Sequence, residues 1–311
     1  MQIPALGLVT DPIETILGRD DDAVLAVIIG VEGPSYRPVG AAMAVFADGS
    51  RAGSLSSGCV EGDISNHALE ALAAGAPRVL RYGRGSPFMD IQLPCGGGLD
   101  ILLLHRPDRQ VLRALVARRT ARQPCVLELD CASGAMRLRE AGSTGRDGAL
   151  FRVHYLPGIR FLVFGKGPEA STFSALVQSA GYLNLLLSPD EETIEAAARL
   201  GSETRHLLRQ DMPDGLGVDP WTAITLFFHD HDWEPPILKA ALETPAFYIG
   251  SQGSQRARDA RMLMLEAMGV DRQSRDRLHG PVGLIPSARD AGTLAVSVLA
   301  EILAKAAELH R

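Results

Sequence analysis

The stretch IRFLVFGKGPEASTFSALVQSAGYLNLLLSPD, residues 159–190, determines the fold class. An apolar run of strand length is followed by a glycine turn at residues 165–167, a segment with helical spacing and a second apolar run. This order predicts strand, turn, helix and strand, the opening of a parallel βαβ unit. Strand and helix signals go on alternating to the last residues, where helices are predicted over 254–269 and 288–309. We therefore predict an α/β fold with a doubly wound parallel sheet in this half of the chain.

The first half of the chain has a different order of secondary-structure signals. Its sequence signals predict a mixed α/β domain. The first predicted elements are a strand at 23–31, a hairpin at 41–55 around Asp48-Gly49 and a helix at 61–74 ending at Gly75. They are followed by strands at 78–82 and 99–105, a helix at 107–122, and the strands CVLELD and LFRVHYL, which are separated by a surface loop, REAGSTGRDGA. The sequence pattern changes at Pro157-Gly158, from hairpin signals to alternating strands and helices. We therefore predict two domains, 1–157 and 158–311.

Composition excludes several classes of function. The chain has 311 residues with a net charge of −6 and only 5% aromatic residues, which disfavours a nucleic-acid-binding protein. No signal peptide and no apolar run long enough to span a membrane are recognised. The four cysteines are irregularly spaced, contain no CxxC and predict no disulfide framework, and Cys125 and Cys131 are interpreted as structural. We expect a reduced, cytoplasmic protein.

The turn at Gly165-Lys166-Gly167 lies between a strand and a helix, where a phosphate-binding turn is expected. The third glycine of the fingerprint is replaced by Ala170, and Pro168 removes one N–H donor near the helix start. The acid expected to bind a ribose falls at Ser188, with an aspartate only two residues later. The pattern predicts a Rossmann-like domain that binds NAD(P) weakly, differently or not at all.

A second polar cluster, HDHD, follows the apolar strand at 221–228 and comprises His229, Asp230, His231 and Asp232. Ligands of open parallel sheets bind beyond the carboxyl ends of the strands. Three interpretations stay open: the cluster caps the next helix through Asp232, holds a metal ion, or shuttles protons.

The segment SSGCVEG, residues 56–62, places Cys59 after Gly58 and before Glu61, next to the predicted start of the helix at 61–74. The N–H groups and the dipole of a helix N-terminus favour a thiolate, which the charge of Glu61 opposes. The alternative is a capping loop with an incidental cysteine.

A second cysteine, Cys95, precedes the glycines Gly96, Gly97 and Gly98 and a buried strand. Three glycines allow a ligand or another backbone to approach closely and leave N–H groups free to bind an anion. Arg37, in the turn GPSYRPVG, is a candidate anion clamp. We predict that Cys59 and Cys95 face one cleft; the alternative is two tight turns.

These segments together resemble the XdhC/CoxI family over nearly the whole chain. The similarity rests on GPSYRPVG (33–40), GSLSSGCVEG (53–62), CGGG (95–98), HDHD (229–232), AALETPAFYIGSQGS (240–254) and HGPVGL (279–284). Here the chain has GKGPE at the glycine turn, where the family usually has G-A-G-H. The resemblance implies a mixed α/β domain followed by a Rossmann domain.

The resemblance further implies an accessory protein rather than an enzyme, one that binds the molybdenum cofactor in its molybdopterin form. It implies protection of the cofactor, support of its sulfuration together with a cysteine desulfurase, and insertion into an apo molybdenum hydroxylase of the xanthine dehydrogenase type. The implied cofactor-binding residues are Arg37, Gly58, Cys59, Glu61, Cys95, Gly96, Gly97, Gly98, Gly165, Gly167, His229 and Asp230. A homodimer is left open. Two alternatives remain, an NAD(P)-dependent oxidoreductase and a metal-dependent enzyme, both using the C-terminal domain.

Overall fold

The computed structural model describes residues 10–56, 58, 60–86, 96–229 and 232–309. The chain divides into two compact units, the first ending at Pro157 and the second beginning at Gly158. Cys59, Cys95 and Asp230, three of the predicted site residues, lie outside the described residues.

The described residues of the first unit form two antiparallel sheets and three helices. Its strands are β1 (Ala23–Glu32), β2 (Ala42–Phe46), β3 (Arg51–Gly53), β4 (Arg78–Gly83), β5 (Gly98–His105), β6 (Cys125–Asp130), β7 (Met136–Arg139), β8 (Gly145–Asp147) and β9 (Leu150–Tyr155). Its helices are α1 (Pro12–Leu17), α2 (Glu61–Ala74) and α3 (Arg109–Thr120). The larger sheet has the strand order β3-β2-β1-β5-β4, and the smaller one has the order β7-β6-β9-β8.

The larger sheet is buried on both faces, which explains the continuous apolar run of β1. Alternate residues of β1 point to opposite sides: Leu25 and Val27 pack with α1, α3 and the smaller sheet, whereas Val24 and Ala26 pack with α2. Helix α2 ends before Gly75, which adopts the left-handed conformation that glycine tolerates at φ 63°. The predicted end of this helix is therefore confirmed.

The second unit is built on one parallel sheet of six strands. These are β10 (Arg160–Gly165), β11 (Leu183–Ser188), β12 (Glu203–His206), β13 (Thr222–Phe227), β14 (Tyr248–Ser251) and β15 (Leu278–His279). The helices are α4 (Pro168–Ser179), α5 (Glu191–Arg199), α6 (Glu234–Leu242), α7 (Gln255–Ala267), α8 (Arg272–Arg275) and α9 (Ala291–Ala306). The strands of this sheet lie in the order β12-β11-β10-β13-β14-β15, and the order reverses direction at β10, the switch point of a doubly wound fold.

Apolar side chains cover both faces of the parallel sheet. Helices α4 and α9 pack on one face through Phe173 and Val298, and α6 packs on the other through Ile237 and Leu238. The predicted fold class, mixed α/β followed by a Rossmann-like parallel sheet, is confirmed. Within the described residues, no helix is both long and apolar enough to cross a membrane.

One predicted loop differs from the structure. The segment REAGSTGRDGA, residues 139–149, contains the strand β8, which pairs with β9 at the edge of the smaller sheet. All three residues of β8 are exposed, so the strand depends on backbone pairing and leaves no apolar pattern in the sequence.

Candidate functional site

Two of the predicted loops meet at one end of the larger sheet of the first unit, and the helix that follows the third loop begins near the same end. Strand β5 begins at Gly98, which lies opposite Glu32 at the end of β1 and opposite Gly83 at the end of β4. Residues 33–40 follow β1 at this end, Gly96 and Gly97 precede β5, and Gly98 is its first residue. Strand β3 ends at Gly53, opposite Met43, which pairs with Ala26 of β1, so β3 stops several residues short of this end and the segment 54–60 connects it to α2. The topology thus brings the loops at 33–40 and 96–98 together.

The glycines that follow Cys95 each meet a different structural requirement. Gly96 has φ +68°, a conformation that favours glycine. A methyl group added to Gly97 would overlap the carbonyl oxygen of Pro34 and lie 2.9 Å from that of Glu32. A methyl group on Gly98 would lie 2.5 Å from Arg81 Nη2. Gly97 therefore fixes the contact between the CGGG segment and the backbone of the loop after β1.

The carboxylate of Glu61 organises the segment before α2. Glu61 is 6% exposed and accepts hydrogen bonds from the N–H of Ser56 at 2.8 Å and from its hydroxyl at 2.5 Å. Further donors to the same carboxylate are the Ser54 hydroxyl and the backbone N–H groups of Leu55, Gly58 and Val60. Burial opposes ionisation, but the hydrogen bonds led by those from Ser56 outweigh it and lower the pKa of Glu61 to about 2. The segment around position 59 is thus held by an ionised side chain.

Helix α2 lies against the strands that begin and end at this edge. Tyr82 of β4 donates a hydrogen bond to Asp63 Oδ2, in the first turn of α2, at 2.5 Å, and lies opposite Leu99 of β5. Ile64 of α2 packs in the same cluster as Leu99. This packing is what a shared cleft for Cys59 and Cys95 requires, and the approach of the two thiols stays a prediction.

Arg37 lies in the loop after β1 and is half-buried. Its backbone N–H donates to Ser35 Oγ at 3.3 Å, and its carbonyl accepts the Ser35 hydroxyl at 2.8 Å. The Nε atom is buried and, among the described residues, donates no hydrogen bond. A buried donor without an acceptor costs free energy, and an anionic ligand removes that cost. This observation supports the predicted anion clamp.

The glycine turn of the second unit makes steric and hydrogen-bonding contacts within the protein. A methyl group at Gly165 would lie 2.5 Å from the carbonyl oxygen of Phe227, because β10 packs tightly against β13. Gly167 has φ +88°, and its N–H donates to Thr193 Oγ1 at 2.8 Å. The Thr193 hydroxyl in turn donates to Asp190 Oδ2. The N–H of Gly167 is therefore already used within the protein.

The end of β11 carries no free acid at the ribose position. Ser188 is buried, and its hydroxyl accepts the N–H of Asp190 at 3.1 Å. Asp190 caps α5 by accepting the N–H of Thr193 at 2.9 Å. The aspartate two residues after Ser188 is thus committed to helix capping.

His229 follows β13 and its side chain is 68% exposed, with Nε2 3.4 Å from Glu169 Oε2 on α4. Trp233, not Asp232, occupies the N-cap position of α6. Among the described residues, which omit Asp230 and His231, no group of three or more His, Cys, Asp or Glu side chains is arranged to hold a metal ion.

A cleft of about 430 Å³ opens at the carboxyl ends of the second unit's central strands. It is lined by residues that follow β13, β14 and β15 and by the first turns of α4, α7 and α9, among them Glu169, Gln252, Ser254, Arg261, Gly283 and Arg289. His229, a predicted site residue, also lines this cleft, whereas the six residues named above were not predicted. The segments YIGSQGS and HGPVGL contain three of them, Gln252, Ser254 and Gly283, and could have indicated this part of the cleft.

These features define a class: a two-unit α/β protein in which glycine-containing loops lie at one end of an antiparallel sheet in the first unit, and a parallel doubly wound sheet forms the second. Residues 16–83 match the model of the XdhC and CoxI family, and residues 161–302 match that of the XdhC Rossmann domain. The chain belongs to the XdhC and CoxI family.

Individual relatives agree with this assignment. The chain is 36% identical over 281 residues to the molybdenum cofactor insertion chaperone PaoD of Escherichia coli, covering 90% of this chain and 82% of that protein. It is 24% identical to a protein of Bacillus subtilis named as a probable component of xanthine dehydrogenase, covering 94% of this chain and 95% of the other. A crystal structure named as a xanthine dehydrogenase from Bacillus halodurans has the same fold, with a TM-score of 0.79 at 23% identity and 95% of each chain covered.

Proposed function

We propose that this protein binds the molybdenum cofactor and inserts it into a molybdenum hydroxylase of the xanthine dehydrogenase type. The relative that is 36% identical is named a molybdenum cofactor insertion chaperone. The observation that carries the proposal is the contact of the loops 33–40 and 96–98 at one end of the larger sheet of the first unit, where the first turn of α2, which follows the segment 54–60, is hydrogen-bonded to β4. The first unit is therefore proposed as the cofactor-binding domain.

The residues at this end suit a phosphorylated pterin that carries a soft metal. Arg37 contributes a buried donor without a protein acceptor among the described residues, and Gly96 has the left-handed φ that occurs in anion-binding nests of backbone N–H groups. Cys59 and Cys95 would contribute thiolate sulfur, which suits molybdenum or a transferable sulfur atom. Glu61 is already saturated by its own segment, so in this proposal it positions the loop beneath the cofactor.

Protection and sulfuration belong to the same proposal. A cofactor enclosed by these loops is shielded from oxidants, and a cysteine desulfurase is the proposed source of the sulfur that reaches the metal. Cys125 and Cys131 are not proposed as carriers, because burial raises the pKa of both thiols.

The second unit is proposed not to use NAD(P). The N–H of Gly167 is taken by Thr193, and the ribose position holds the buried Ser188. These contacts disfavour the oxidoreductase alternative and support the accessory role.

Anaerobic purification followed by mass spectrometry of the released small molecules tests the proposed function. We expect a molybdopterin species at a stoichiometry that rises when the protein is produced in cells with an active cofactor pathway. Protein from such cells that carries no pterin, and that fails to activate an apo molybdenum hydroxylase in the presence of free cofactor, would contradict the proposal.

A further inference from the structure

The cleft of the second unit has a rigid wall built by a buried ion pair. Arg261 of α7 and Glu234 of α6 have side chains 4% and 0% exposed, and Arg261 Nε lies 2.7 Å from Glu234 Oε2. Ser251 donates its hydroxyl to Glu234 Oε1 at 2.7 Å, and Arg261 Nη2 donates to the carbonyl of Gln252 at 2.5 Å. The network fixes the residues that follow β14, so the cleft is largely preformed.

This wall offers donors for an anion. Arg261 lines the cleft, and in the described part of the chain its Nη1 makes no hydrogen bond, while Nε and Nη2 are engaged. Ser254 lines the same cleft and caps α7, a helix of 13 residues whose N-terminal N–H groups and dipole favour negative charge. Arg289, just before α9, adds a second cation at the cleft.

The cleft also contains a hydrogen-bond acceptor, the carboxylate of Glu169 in the first turn of α4. Its Oε2 atom is buried and accepts no hydrogen bond from the described residues; His229 Nε2 lies 3.4 Å away. The other carboxylate of the cleft, Asp290, is already engaged, because it accepts the N–H of Thr293 at 2.7 Å. Glu169 is therefore the acceptor that remains for a ligand with N–H donors.

The position of the cleft limits the size of the ligand. It lies over β10, β13, β14 and β15, whereas the side toward β11 is closed by the contacts of Gly167 with Thr193 and of Ser188 with Asp190. A volume of about 430 Å³ is at the lower end of small-molecule pockets. It suits one heterocycle with one phosphate better than a dinucleotide.

We propose that this cleft binds a phosphate monoester whose planar heterocycle presents adjacent N–H donors, the pattern shared by guanine and pterin rings. The Glu169 carboxylate accepts the N–H edge of the ring, and Arg261, Arg289 and the N-terminus of α7 hold the phosphate. The site is separate from the cysteine loops of the first unit. A guanine nucleotide there goes beyond the proposed chaperone function, whereas a pterin phosphate deepens that function and rests on it.

Calorimetric titration of the full-length protein tests this site with three probes: GMP, neopterin phosphate and AMP. AMP carries the same sugar phosphate as GMP but presents a ring acceptor where guanine presents a donor. A charge-assisted hydrogen bond contributes roughly 1.5–3 kcal/mol, so we expect GMP or neopterin phosphate to bind at least about tenfold more tightly than AMP. The tighter of the two identifies whether a nucleotide or a pterin is the source.

The variant Glu169→Gln removes the carboxylate with little change of shape. We expect it to lose the preference over AMP, whereas Glu191→Gln, in the first turn of α5 and outside the cleft, keeps it. Equal binding of GMP, neopterin phosphate and AMP by the wild-type protein, or no binding of any of the three, would overturn the proposal even if the variant fails to fold. An unchanged preference in a folded Glu169→Gln variant would also overturn it. Retention of the molybdenum cofactor by Cys59 and Cys95 is measured separately, so the two proposals fail independently.

Discussion

Glu61 accepts two hydrogen bonds from Ser56, one from its backbone N–H at 2.8 Å and one from its hydroxyl at 2.5 Å, across the segment that contains position 59. A buried carboxylate with this many donors is a fixed anion that shapes the loop. Within SSGCVEG, Glu61 holds the segment, and Cys59 is the residue proposed to act on the cofactor.

The charge of Glu61 should therefore stabilise the fold. We expect Glu61→Gln to lower the free energy of unfolding by about 2 kcal/mol, because charge-assisted hydrogen bonds weaken and donors lose their acceptor. Glu70→Gln is the control: Glu70 lies on the same helix, and its pair with Arg78 is exposed, so its loss should cost about 0–1 kcal/mol. Urea unfolding measures both, and equal stability of Glu61→Gln and wild type would contradict the assigned role.

The same carboxylate predicts a pH dependence. Its pKa of about 2 in the folded protein is below the ordinary value of 4.5, so its stabilisation is complete above about pH 4.5 and is lost as the pH falls toward 2. We expect the stability difference between wild type and Glu61→Gln to shrink over this window. A difference that stays constant from pH 6 down to about pH 3 would rule out the ionised carboxylate as its cause.

The contact of Gly97 with the loop after β1 predicts a steric effect. A methyl group there overlaps the Pro34 carbonyl, so Gly97→Ala should cost about 1–3 kcal/mol and lower cofactor retention. Gly62→Ala is the matched control, because the added methyl on α2 meets no described atom within 4 Å and alanine favours the helix. Thermal unfolding should therefore move in opposite directions for the two variants, and a stable Gly97→Ala would contradict the packing described here.

The contacts around Gly167 predict weak or absent NAD(P) binding. Thr193 uses the N–H of the turn, and Ser188 stands where a ribose-binding acid is expected. Calorimetric titration with NAD and NADP should show no saturable binding in the low-micromolar range. Binding in that range by either dinucleotide would restore the oxidoreductase alternative.

The buried pair of Arg261 and Glu234 predicts strong coupling. Removing one partner leaves a buried charge, so Arg261→Met should cost about 3–5 kcal/mol, and adding Glu234→Leu should recover most of that loss. Arg199→Met is the control, because its pair with Glu195 is exposed and is expected to contribute about 0–1 kcal/mol. A double variant no more stable than Arg261→Met would show that the pair is not the dominant interaction.

The local sequence pattern was sufficient to predict much of the fold. The first βαβ unit is predictable because β10 and β11 are apolar runs that flank a glycine turn and a helical segment within residues 159–190. Strand β8 was missed because its residues are exposed and its pairing partner, β9, gives it no sequence signal of its own.

The sites were less predictable, because their contacts join residues that local pattern does not connect. The hydrogen bonds that Glu61 accepts depend on the path of the backbone through residues 54–60. The hydrogen bond of the Gly167 N–H depends on a threonine 26 residues further along the chain. The cleft of the second unit gathers residues that follow several different strands, and only the fold brings Glu169, Gln252 and Arg289 together.

The cofactor content of three cysteine variants, purified anaerobically, tests the central claim most directly. Cys59→Ser and Cys95→Ser should each lose molybdenum and pterin while circular dichroism and melting stay near wild type, because serine cannot supply a thiolate. Cys131→Ser is the control, being a half-buried free thiol outside these loops, and it should retain the cofactor. Cofactor retention by Cys59→Ser and Cys95→Ser equal to that of wild type and Cys131→Ser would contradict a cofactor site formed by the two cysteine loops.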